Sequence, residues 1–146
     1  MSALDTLTAH YTGRLAAERP APAVGYLGAD TPVELITAAG ALPVRLFGDP
    51  AESAEDGDRY LGRGVDPAAR SVLTRILTGV WDGLDALVVS RDCEASLRVF
   101  YALRELRRTE PDRALPPVHL VDVLHLPHQT TTAYNVVRLG EFRDRL

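Results

Sequence analysis

The chain has 146 residues, 46% of them hydrophobic and 25% charged, with a formal net charge of -4. That size and balance fit one globular core and exclude wholesale disorder or a pair of full α/β domains. Acidic residues outnumber basic ones 20 to 16 and every basic residue is an arginine, so phosphate-neutralising nucleic-acid binding is not expected, and a P-loop lysine or Schiff base is excluded within this chain.

The opening SALDTLTAHYTGRLAAE carries charges throughout, unlike a signal peptide, and no stretch approaches the roughly 20 apolar residues of a membrane span. A cytoplasmic protein is expected, and the lone Cys93 suits a reducing compartment. Ser2 and Asp5 can cap a leading helix that carries Leu4, Leu7, Tyr11 and Leu15 and runs to Pro20. Residues 1–21 are therefore expected as an N-terminal helix, ahead of one α/β domain over 22–146.

Pro22 to Leu27 reads as a first strand. Gly28-Ala29-Asp30 turns it into a helix over TPVELITAAG, with Pro32 at its start and Gly40 past its end. Leu42 to Phe47 is a second strand, whose Pro43 suits an edge or a strand start. Residues 48–66, rich in Gly, Asp and Glu, read as a long exposed loop, with Glu52, Glu55, Asp56 and Asp58 as solvated charges. From Pro67, the residues Ala69, Val72, Leu73, Ile76, Leu77, Val80 and Trp81 form one apolar helical stripe. Asp85 to Ser90 is an uninterrupted apolar strand, and Asp92 is placed to cap the next helix, which bears Leu97, Phe100, Leu103 and Leu106. Val118 to Val123 is the last strand, and a helix from about Gln129 to Leu146 closes the chain.

Strands alternating with helices predict a single doubly wound, mostly parallel four-stranded α/β sheet with helices on both faces, of Rossmann or flavodoxin type. Ligands of such sheets sit beyond the carboxyl ends of the strands, which directs attention to the loops at Gly28 to Pro32, Gly48 onward, Ser90 to Glu94 and His125 to His128.

Within those loops Cys93 falls near a helix N-terminus, where a thiolate is favoured. A metal ligand, a nucleophile or a small buried residue all fit that position. Thr31 and Glu34 have the spacing of a capping box, and Glu34 at a strand tip also suits a general acid or base. His125 and His128 with Cys93 would make an incomplete zinc set. His119 alternates with apolar neighbours and reads as a hydrogen-bonded structural residue. Gly25-x-x-Gly28 lacks the third glycine of a dinucleotide fingerprint.

The stretch GYLGADTPVELITAAGALPVRL resembles the opening of the 2-hydroxyacyl-CoA dehydratase D-component family (2-hydroxyglutaryl-CoA dehydratase-like). RSVLTRILTGVWDGLDALVV, SRDCEASLRVFYAL and VHLVDVLHLPH resemble later segments of that family in the same order. The resemblance implies longer subunits with paired α/β domains, and a 4Fe-4S cluster that supports reductive removal of water from a 2-hydroxyacyl-CoA. It aligns Cys93 with one cluster ligand. It also implies substrate binding around Gly28, Asp30, Thr31, Pro32 and Ser90, with Glu34 near the acyl-CoA. Where it expects an earlier cysteine, before Arg70-Ser71, the sequence has Gly64-Val65-Asp66-Pro67. The later ligand belongs to the second domain of such subunits. One thiolate does not hold a cubane cluster, so a cluster is expected only with a partner chain. The resulting expectation is a cluster-deficient accessory or partner subunit, in a hetero-complex or a homo-oligomer. The alternatives are the catalytic half of a multi-subunit dehydratase (a lyase) and an acyl-CoA or small-molecule binding module.

Overall fold

The computed structural model describes residues 2–13, 15, 18–20 and 22–146. Its elements are helix α1 (Ala3–Gly13), strand β1 (Ala23–Leu27), α2 (Val33–Ala38), β2 (Leu42–Arg45), α3 (Glu55–Leu61), α4 (Pro67–Leu77), β3 (Ala86–Ser90), α5 (Glu94–Thr109), β4 (Val118–Val121) and α6 (Gln129–Arg143). All strand pairings are parallel, in the order β2-β1-β3-β4. The chain thus steps to one side of β1 and then to the other, and the reversal between β1 and β3 opens a crevice at their carboxyl ends. The expected α/β class and strand number hold.

Val24, Leu87, Val88 and Val89 are at most 5% exposed, as strands covered on both faces require. On one face Leu73, Val99 and Leu103 anchor a core that also takes in Val65, Ile76 and Trp81; on the other, Ile36, Val88, Val121 and Phe142 form a smaller cluster. Helix α4 starts where Asp66 accepts the Ala69 N–H at 3.1 Å and Pro67 takes the first turn. Its stripe buries Ala69, Val72, Leu73 and Ile76, whereas Val80, past the helix end, is exposed.

Several local expectations are corrected. The segment 48–66 is not a loop throughout, because α3 lies within it. A Cβ on Gly57 would lie 2.2 Å from the Arg70 carbonyl oxygen, so this glycine lets α3 approach the α4 backbone. The Gly57 N–H donates to Thr74 Oγ1 at 2.9 Å. Two of the supposed solvated acids are engaged: Asp58 binds Arg70 and Arg63, and Glu52 grips the buried Arg75 at 2.8 and 2.5 Å. These bonds hold the Glu52 and Asp58 carboxyls below the ordinary range, the arginine hydrogen bonds being the main cause.

At α1 the Ser2 and Asp5 capping pair forms as expected, at 2.7 and 3.2 Å. The helix ends at Gly13, before Pro20, and buries none of its residues; positions 14, 16, 17 and 21 of the expected helix lie outside the described residues. No helix among the described residues is long and apolar enough to cross a membrane.

Candidate functional site at the strand ends

Gly28 ends β1 with φ +100, and a Cβ there would lie 2.0 Å from Ser90 Oγ. The residue thus satisfies a left-handed turn and a close approach at once. The turn aims two backbone donors at the end of β3: Ala29 N–H reaches Asp92 Oδ2 at 2.8 Å, and Asp30 N–H reaches the fully buried Ser90 Oγ at 3.3 Å. Partial burial raises the Asp92 pKa, but hydrogen bonds from Ala29 N–H, Ser96 and Cys93 outweigh it and hold the carboxyl below its ordinary value.

Asp92 does not cap α5, contrary to expectation. Cys93 is the N-cap residue, in extended conformation, and its Sγ accepts the Ser96 N–H at 3.4 Å and lies 3.2 Å from Ser96 Oγ. The reading of Cys93 as a small buried residue is also corrected, since its thiol is free and exposed. The carboxylate one residue earlier is taken by the β1 loop, which leaves the sulfur as the acceptor next to the helix start.

The capping box of Thr31 and Glu34 does not form. Pro32 takes the N-cap position without a side-chain cap, which leaves Thr31 one residue too early. Thr31 is instead buried, with Oγ1 lacking a partner, and Glu34 stands exposed on α2.

At the other side of the crevice, His125 Nε2 lies 2.8 Å from Asp30 Oδ2 and ties the loop after β4 to the loop after β1. Asn135 pins that loop from α6, accepting from Leu124 N–H at 2.9 Å and donating to its carbonyl at 2.8 Å. The Tyr134 hydroxyl donates to Asp122 Oδ2 at 3.0 Å, and this bond keeps the phenol above its ordinary pKa. Asp122 Oδ1 is buried without a partner.

The imagined zinc set of Cys93, His125 and His128 is not assembled, as no group of three His, Cys, Asp or Glu side chains suits a metal among the described residues. His125 is paired with Asp30, and His128 is the N-cap residue of α6 with no side-chain cap bond. His119 is half-buried and stacks on Phe142, with ring centroids 5.3 Å apart, in place of the expected hydrogen bond. The strand-end loops that hold Asp30, Asp92 and His125 were marked in the sequence, but the pairing of Asp30 with His125 and the bond of Asp92 to the β1 loop were not.

The crevice therefore gathers Asp30, Ser90, Asp92, Cys93 and His125 from three strand ends, while Glu34 is not brought into their hydrogen-bond network. Two cavities of about 590 and about 520 Å³ lie elsewhere, one along β2 and one between α3 and α5, away from the loops that carry the polar groups.

A parallel doubly wound domain with a polar crevice at its switch point is the class these features define. The family model for the 2-hydroxyglutaryl-CoA dehydratase D-component matches residues 29–146, and the chain belongs to that family. No curated protein matches the chain.

Proposed function

We propose that the chain is an accessory or partner subunit of a larger dehydratase-type complex, in which the cluster chemistry implied by the family is held outside this chain. The described residues do not fit a 4Fe-4S cluster. What carries the reading is the use made of the positions where ligands are expected. Val65 is 8% exposed within the main core, Asp66 caps α4 through its bond to Ala69 N–H, and Cys93, the lone cysteine, caps α5. A cubane cluster needs several thiolates converging on one point.

Exposed apolar side chains support a partner role. On and before α6, Leu126, Val136 and Val137 are 61%, 66% and 58% exposed, and Leu4 and Leu7 of α1 are 72% and 66% exposed. Apolar surface of this kind marks interaction sites. A cytoplasmic setting goes with the reading, because a free exposed thiol suits a reducing compartment. Anaerobic purification with native mass measurement and iron and sulfide assays tests it. A defined hetero-assembly whose iron stays with the partner after dissociation is expected, and iron that remains with this chain would overturn the proposal.

A second reading, acyl-CoA binding without chemistry, draws on Thr31 Oγ1 and Asp122 Oδ1, buried polar atoms that still lack partners. In that reading Gly28, Asp30, Thr31, Pro32 and Ser90 contact the ligand. Titration with acetyl-CoA and glutaryl-CoA is expected to raise the melting temperature, and the absence of both heat and thermal shift would remove this reading.

A further inference from the structure

Among the described residues β2 is an edge strand, paired with β1. Leu42 N–H donates to the Pro22 carbonyl at 2.9 Å and Leu46 N–H to the Tyr26 carbonyl at 2.8 Å, so alternate residues turn their backbone groups toward β1. Pro43 and Arg45 accordingly turn theirs outward. The open edge offers the Pro43 carbonyl, the Arg45 N–H and the Arg45 carbonyl, with no partner for them among the described residues. Proline on an edge limits uncontrolled pairing, and here it leaves a single outward donor, which favours one short register.

A cavity of about 590 Å³ runs along this edge, lined by β2 together with Glu18, Arg19, Phe47 and Trp81. Phe47 and Trp81 meet edge to face, with centroids 5.2 Å apart. Trp81 is 4% exposed, yet its indole N–H is buried without an acceptor. The Arg19 guanidinium is committed to the Asp82 and Leu15 carbonyls at 3.3 and 3.1 Å. Arg45, in contrast, has no hydrogen bond or ion pair among the described residues.

Side chains alternate across a strand. Val44 and Leu46 pack with the core that includes Trp81, so Arg45 projects on the opposite face. A strand laid beside β2 would therefore place every second side chain over Phe47 and the Arg19 guanidinium that covers the Trp81 ring at 5.0 Å, and the intervening ones beside Arg45. The complement to that surface is a chain of alternating apolar and acidic residues. Glu18 also lines the cavity, so the match is to a segment with few acids, correctly spaced, and not to a polyanion.

We infer that the β2 edge is a docking site for an extended segment of another polypeptide with alternating apolar and acidic residues, added to the sheet as a further strand. This site is separate from the crevice, and its failure would leave the subunit reading above intact.

The test uses the full chain and a labelled, end-capped peptide of alternating valine and glutamate, read by fluorescence anisotropy and by emission of the lone tryptophan. Saturable binding at least about fivefold tighter than that of the valine-lysine counterpart is expected. Arg45→Glu should reverse that preference. Arg45→Pro removes the outward N–H together with the guanidinium, leaves the ladder to β1 intact, and should abolish binding, whereas Arg45→Ala, which keeps the N–H, should only level the charge preference, with far-UV circular dichroism unchanged in both. A peptide N-methylated at alternate residues should not bind. The inference is overturned by no binding at millimolar peptide, or by equal binding of both charge types. Equal binding of the N-methylated peptide would make the cavity a small-molecule site, and self-association lost in Arg45→Pro would make the occupant a second copy; either outcome also overturns it.

Discussion

Against one face of the sheet, α3, α4 and α5 close over twelve buried apolar side chains, Leu73, Val99 and Leu103 among them, counted over the described residues. The other face, under α2 and α6, buries five: Val24, Ile36, Val88, Val121 and Phe142. The first face is also laced by polar bonds from the β2 to α4 region, where Arg75 binds Glu52 and the Phe47 carbonyl and Asp58 binds Arg70. On the second face α6 buries Phe142 and Thr131 but leaves Val136 and Val137 in solvent. One face carries the stability of the domain, and the other keeps apolar surface available for contact.

Truncation in the larger core tests that division most strongly. Leu73→Ala should lower unfolding free energy by about 2–5 kcal/mol in denaturant titrations, because a fully buried leucine leaves a cavity that a packed interior does not refill. A cost near that of a surface change would mean that the face is not close-packed. Arg75→Met comes next, with an expected loss of about 1–3 kcal/mol, since it strips the Phe47 carbonyl and Glu52 of a donor in a site that is 7% exposed.

The smaller core should reveal itself through pH. Burial, and then the nearby charges of Arg145 and Arg138, push the His119 pKa below the ordinary imidazole value against the opposing pull of Glu141. The folded form thus refuses a proton that the unfolded chain accepts. Its stabilising contribution is full above about pH 6.5 and is lost as pH falls from there toward the folded pKa. The wild-type melting temperature should drop between about pH 7.5 and 5.5, and His119→Phe, which keeps a ring against Phe142, should drop less. The depressed carboxyls of Glu52 and Asp58 act at lower pH, because their contribution is present above about pH 4 and fades as pH falls through their folded values, so both proteins should share that later loss. The smallest effect is expected at Val136→Ser. Folding stability should shift by no more than about 0.5 kcal/mol, while affinity for a co-purifying partner falls.

The legible parts of this fold are those specified locally. The run Ala86 to Ser90 marks a doubly covered strand, and Asp66-Pro67 followed by the Val72, Leu73 and Ile76 stripe marks a helix and its start. Helix α3 was hidden because its reasons are distant in sequence: Gly57 packs on the Arg70 backbone, and Asp58 pairs with Arg70 across the gap between helices. At the crevice, a local pattern misled. Thr31 and Glu34 have capping-box spacing, but Pro32 occupies the cap, and the cap of α5 falls on Cys93 because Asp92 is drawn to Ala29 N–H. The contact of Asp30 with His125 joins residues 95 positions apart, which no spacing rule within a helix or strand could reveal.

The most direct test of the account is the iron and acid-labile sulfide content of the complex purified anaerobically with the wild-type chain and with Cys93→Ser. Serine keeps a helix-capping oxygen but offers no thiolate. The account predicts the same assembly and the same iron per complex in both. Loss of iron from the Cys93→Ser complex, with the assembly otherwise intact, would make Cys93 a cluster ligand and contradict it.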